Sequence, residues 1–190
     1  MDRREFIAAL GRCSAAVPAL ALLSLRAQVA LGREVHARLD EAHRPQALGE
    51  HQFRMVSRLA ELILPETDTP GATAAKVPQF IDVLLAVSLM EKDKAHILEG
   101  LERIDVQSRA TCGTDFLNAR EEDQAALMRA IDVPRREHGS AAIGGDGSAQ
   151  QTFASLKGLV IYGYFTSAVV MKDVLKVPII PGRYDGSVPV

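Results

Sequence analysis

From residue 53 onward the apolar positions recur at helical spacing. Phe53, Val56, Leu59, Ala60, Ile63 and Leu64 mark one face of a helix that Pro65 ends. The stretch PETDTPGATAAKVP follows as a rigid loop, with prolines fixing φ and Gly71 permitting a turn. Pro78 suits the first turn of a second helix. That helix carries Phe80, Ile81, Val83, Leu84, Leu85, Val87 and Leu89 on almost every side, which places it centrally. A third helix is predicted over about 92–110, with Ile97, Leu98, Leu101 and Ile104 on one face. A short segment, Asp115 to Asn118, contributes Phe116 and Leu117. The acidic run Glu121-Glu122-Asp123 complements a helix N-terminus and opens a fourth helix that buries Leu127, Met128 and Ile131. Residues 134–149 form a Gly/Ser-rich loop. A long helix over about 151–175 follows, and its middle, Leu159 to Val170, is apolar or small all round. The ending KVPIIPGRYDGSVPV, rich in Pro and Gly, is predicted to be extended. No alternating strand pattern and no internal repeat occur. The prediction is a single all-α domain of about five helices, with a central long C-terminal helix and an extended Pro/Gly tail.

The amino-terminal part has a different pattern. Arg3 and Arg4, then Glu5, Phe6 and Ile7, form the twin-arginine export pattern. The uncharged run Cys13 to Leu25 has 13 residues between Arg12 and Arg26. As a helix it reaches about 20 Å, short of a ~30 Å hydrocarbon core, so it reads as an export signal and not as a permanent span. Ala27-Gln28-Val29-Ala30 is only an approximate cleavage site. Residues 33–52 are polar, with Pro45 and Gly49 as breakers. The division expected is signal 1–32, polar linker 33–52 and helical domain 53–190. The expected location is the periplasm. The twin-arginine route carries folded proteins, so something must fold or load a cofactor before export.

Composition narrows the function classes. The net charge is −2, and four Arg against one Asp and one Glu fall in the first thirty residues, leaving the body near −4. A mildly acidic body without a basic stripe argues against nucleic acid as a partner. The absence of Trp argues against an aromatic stacking platform. Of the two cysteines, Cys13 lies in the signal, so Cys112 has no partner for an internal disulfide; its role stays open.

A search for chemistry comes back nearly empty. Gly144-Gly145-Asp146-Gly147 lacks a βαβ context for dinucleotide binding. There is no C-x-x-C-H haem attachment and no paired Cys or His spacing for a metal. Of His36, His43, His51, His96 and His138, only His96 falls in a predicted helix, on a solvated face. Glu66 and Asp68 are conceivable as an acid/base pair, yet they flank Thr67 in a Pro-bounded loop, where such residues close turns. Tyr164, Thr166 and Ser167 have no nearby His to activate them. Gly158, Gly163 and Ser167 suit close packing.

Three blocks carry a resemblance. The segment LAELILPETDTPGATAAKVPQFIDVLL (Leu59–Leu85), the segment LKGLVIYGYFTSAVVMKDVL (Leu156–Leu175) and the ending PGRYDG (Pro181–Gly186) resemble the gluconate 2-dehydrogenase subunit 3 family. These are small gamma subunits of flavin-dependent, membrane-associated sugar and sugar-acid dehydrogenases, including glucose and glucoside 3-dehydrogenase types. Where the family continues with Glu after GYFTS, Ala168 stands here, and Ser187 stands where many members carry a Cys.

The resemblance implies a non-catalytic subunit without a cofactor of its own. It would assist folding and twin-arginine export of a large subunit that holds FAD, at the inner membrane. A cytochrome c subunit with haem c completes some such complexes. The implied partners are that flavoprotein, the cytochrome where present, and the twin-arginine translocase. Candidate interface residues are Pro65, Glu66, Thr67, Asp68, Pro70, Gly71, Tyr162, Tyr164, Phe165, Pro181 and Tyr184. An exported ligand-binding module and a stand-alone periplasmic enzyme are the alternatives.

Overall fold

A computed structural model of the chain describes residues 20, 22–39, 43–87, 89, 91–132 and 149–175. Arg3, Arg4, the glycine cluster at 144–147, Pro181 and Tyr184 lie outside the described residues. The elements are α1 (Leu25–Ala37), α2 (Glu50–Ile63), α3 (Val77–Val87), α4 (Glu91–Cys112), α5 (Glu121–Ile131), α6 (Ala149–Thr166) and a π turn (Val170–Val174). No strand occurs among the described residues, and the all-α expectation holds.

Two elements differ from the sequence reading. The helix α1 runs across the boundary drawn at residue 32. Its polar residues Arg33 and Glu34, and Arg38 just past its end, face solvent, while Gln28, Gly32 and Val35 face the core. The long C-terminal helix breaks at Ser167. There Thr166 Oγ1 donates to the Tyr162 carbonyl at 2.8 Å, and Ser167 Oγ donates to that of Tyr164 at 2.8 Å. These hydroxyls compete with the helical ladder. The chain then continues as the wider π turn, closed by Leu175 N on the Val170 carbonyl at 2.9 Å.

The helix α6 is the axis of the fold. It touches each of the other five described α-helices and is buried over most of its surface, from Phe153, Leu156, Leu159 and Val160 to Tyr162, with one strip, Gln150, Ala154, Lys157 and Ile161, exposed or half-buried. A helix with this many neighbours needs them to come close, and glycine supplies the room at three crossings. A methyl group on Gly32 of α1 would come within 2.7 Å of Thr166, and one on Gly163 within 2.7 Å of the Phe80 ring of α3. One on Gly100 of α4 would overlap Thr152. The Phe80 ring meets Tyr162 edge-on, with centroids 5.4 Å apart.

The connections are held by side chains that reach out of helices to loop backbone. Asp82 is fully buried in the apolar helix α3. Its Oδ1 accepts from the N–H groups of Ala47 and Leu48 at 2.9 Å each. Its Oδ2 accepts from Gln46 N at 2.8 Å and from His43 Nε2 at 2.9 Å. All four acceptor positions of the carboxylate are thus used. On α4, buried Asp105 accepts from Phe116 N at 2.9 Å and from His51 Nε2 at 2.7 Å. Gln124 of α5 holds the same loop from the other side, donating to the carbonyls of Phe116 (2.8 Å) and Ala119 (3.1 Å). Its Oε1 accepts from Arg58 of α2 at 2.6 Å.

Two stability measurements check this account. Asp82→Asn places an amide NH2 against N–H donors and removes the charge; urea unfolding is expected to show a loss of about 3 kcal/mol. Gly100→Ala introduces the better helix former, yet overpacking against Thr152 is expected to lower stability by about 1–3 kcal/mol. An unchanged or higher midpoint would contradict the close crossing.

Candidate functional site

Two of the three blocks singled out in the sequence meet in space. The loop after α2 leaves Pro65, Glu66, Thr67 and Asp68 exposed, while Gly71 is buried at its base. Glu61, in the last turn of α2, organises it. Its Oε1 accepts from Glu66 N at 3.0 Å, and its Oε2 accepts from Thr73 N at 3.1 Å and Thr73 Oγ1 at 2.7 Å. Partial desolvation pushes the Glu61 carboxyl up, but these hydrogen bonds outweigh it and hold the group below the usual range. Gly71 is needed here because a Cβ would come within 2.8 Å of Glu66 N and collide with the Glu61 carboxylate. The turn itself closes through Thr67 N on the Thr69 carbonyl at 3.1 Å.

The second block docks onto this loop from the end of α6. The Tyr164 hydroxyl donates to the Pro70 carbonyl at 2.7 Å. Tyr164 is itself buried and meets the half-buried Phe165 edge-on at 5.5 Å. Tyr162 is a core residue, 1% exposed, whose hydroxyl donates to the Gln28 carbonyl of α1. Burial pushes its phenol far up, so it stays neutral. One residue on, the Gly163 carbonyl accepts from His36 Nε2 at 2.8 Å, which fixes the proton on that nitrogen. The His36 ring stacks on Phe80 with centroids 4.6 Å apart. The exposed part of this site is therefore Pro65–Asp68, backed by half-buried Thr69, Pro70 and Phe165.

The chemistry available is sparse. Glu66 and Asp68 form no side-chain hydrogen bond or ion pair among the described residues, so the turn-closing role falls to Thr67 and Glu61. Sequence reasoning placed only His96 in a helix. The structure also places His36 in α1 and His51 in α2, and it pairs His43 with Asp82 and His51 with Asp105. Neither paired ring hydrogen-bonds to a hydroxyl or thiol among the described residues, so each pair serves as an anchor without a nucleophile. No group of three or more His, Cys, Asp or Glu suited to a metal occurs among the described residues. No helix among them is long and apolar enough to cross a membrane. A shallow cleft of about 320 Å³ opens between α2, α5 and α6, lined by Leu62, Ile63, Met128, Arg129, Phe153 and Lys157 among others.

Two substitutions probe the junction. Tyr164→Phe removes only the hydroxyl that reaches Pro70; a loss of about 1 kcal/mol is expected, with faster amide exchange across residues 65–73. For His36, burial lowers the pKa and outweighs the raising effect of the Gly163 carbonyl. The unfolded chain takes up a proton near pH 6.5, which the folded ring refuses until a lower pH. The group is thus neutral to stability above about pH 6.5 and subtracts from it as pH falls below that value. In His36→Gln the stability–pH curve is expected to be shallower between pH 7 and 5 than in the wild type.

No curated protein and no solved structure matches the chain. The family described as gluconate 2-dehydrogenase subunit 3 matches residues 50–182, which takes in the Glu61-organised loop, the anchors Asp82 and Asp105, and the broken end of α6. With most of its length matched, the chain belongs to the gluconate 2-dehydrogenase subunit 3 family.

Proposed function

We propose that this chain is the small, non-catalytic subunit of a periplasmic dehydrogenase complex that oxidises sugars or sugar acids. It escorts a large subunit carrying FAD. It holds no cofactor itself, and its Arg3-Arg4 signal takes the folded pair through the twin-arginine translocase. The complex then sits at the inner membrane, where a cytochrome c subunit, in complexes that have one, takes the electrons.

The observation that carries this reading is the construction of the 65–71 loop. Glu61 and Tyr164 fix its base, while Pro65 to Asp68 are exposed, with two carboxylates unpaired among the described residues. A loop ordered before docking loses little conformational freedom on binding. The side chains that hold it are spent on loop backbone and not on a reacting group. Family membership supports the same role.

Co-expression with a candidate FAD-carrying large subunit tests the proposal. Deleting this chain, or replacing Arg3 and Arg4 with Lys, is expected to leave the flavoprotein in the cytoplasm with its activity sharply reduced. The double substitution Glu66→Lys with Asp68→Lys is expected to cut co-purification at least tenfold at unchanged melting temperature. Normal flavoprotein export and activity without this chain would refute the proposal.

A further inference from the structure

The export reading takes residues 1–32 as the signal and leaves its removal open, with Ala27–Ala30 as the approximate cleavage site. The structure puts that stretch inside α1, which is seated in the core. Gln28 is buried, and its Nε2 donates to the carbonyls of Leu20 and Leu23 at 2.9 and 3.0 Å. Its own carbonyl accepts the Tyr162 hydroxyl. One turn on, Gly32 lies against Thr166, Val35 is 1% exposed, and His36 bonds Gly163 and stacks on Phe80.

A peptidase takes its substrate as an extended strand. Presenting Ala27–Ala30 in that form requires α1 to unwind and leave the core, so cleavage there is limited by the population of an opened state. Cutting after Ala30 would also leave only seven residues of α1, too few to hold a helix on propensity. It would strip the buried Tyr162 hydroxyl of its acceptor and Leu20 from its seat. The twin-arginine route delivers the chain already folded, so α1 is in place when it meets the peptidase.

We propose that α1 is a permanent part of the exported domain, and that Ala27–Ala30 is not processed. The mature N-terminus lies at or before Leu20, so the segment ahead of α1 remains joined to the subunit after any upstream cut. This rests on the export reading above, but the packing of α1 can be tested without it.

In the first experiment the full chain is produced with its flavoprotein in a bacterium with an active twin-arginine system. The periplasmic and membrane-bound material is then measured by intact mass. An N-terminus at or before Leu20 is expected, and one after Leu20 overturns the proposal. If the chain stays whole in the cytoplasm, the export reading fails alone, and the second experiment decides. There the purified full chain is incubated with a leader peptidase in mild detergent, beside Gly32→Val and Tyr162→Phe. Gly32→Val forces α1 off Thr166, and Tyr162→Phe removes only the bond to Gln28. The wild type is expected to resist cutting within Leu25–Ala37, while at least one variant is cut there at least tenfold faster. Cutting of the wild type within α1, or equal resistance of all three, overturns the proposal.

Discussion

One constraint governs this molecule: backbone laid against a central, largely buried helix must find its hydrogen bonds within the protein. With α6 touching every other described α-helix, parts of the connections between those helices, at Leu48 and Phe116 above all, run close to the core and lose access to water. A side chain from an adjoining helix answers each time. Asp82 serves the 46–48 turn, Asp105 and Gln124 serve the loop around Phe116, Glu61 serves the loop after α2, and Gln28 serves the turn before α1. Most of these groups are charged or amide-bearing and deeply buried. They are tolerable there because their polar partners are supplied almost completely.

The candidate site follows from the same constraint. The end of α6 has carbonyls that the broken ladder releases, and three elements make use of that opening. His36 binds Gly163, Thr166 and Ser167 turn back on their own helix, and Tyr164 extends past it to Pro70. The GYFTS segment is thus the place where α1, α3 and the 65–71 loop are brought into register. The two tyrosines that flank Gly163 divide the labour: Tyr162 faces inward to α1, and Tyr164 faces the loop.

Much of the helical framework was legible because spacing near 3.6 and punctuation by Pro or acidic residues are local signals. The bounds of α2, α4 and α5 fall within a few residues of the predicted ones, and Phe116 is buried as its short segment implied. Asp82 was illegible for the opposite reason. It sits in a run of apolar residues, and its partners are 34–39 positions away. Likewise α1 hides behind Arg33, Glu34 and Arg38, and of the residues it buries fully, Gln28, Gly32 and Val35, two are not apolar. At the site, the sequence picked out the two blocks but could not show that Tyr162 belongs to the core while Pro65–Asp68 stand exposed. That division depends on the rotation of α6 about its own axis, and a helix apolar on all faces gives no periodic clue to rotation.

The three glycine crossings have an evolutionary consequence. At Gly32 with Thr166, Gly163 with Phe80, and Gly100 with Thr152, one helix yields the space that the other fills. Each pair therefore shares one fixed volume. Drift at either member is confined to exchanges in which the opposite member changes size in compensation. Descendants of this chain should consequently conserve the summed bulk of each pair more faithfully than the identity of either residue.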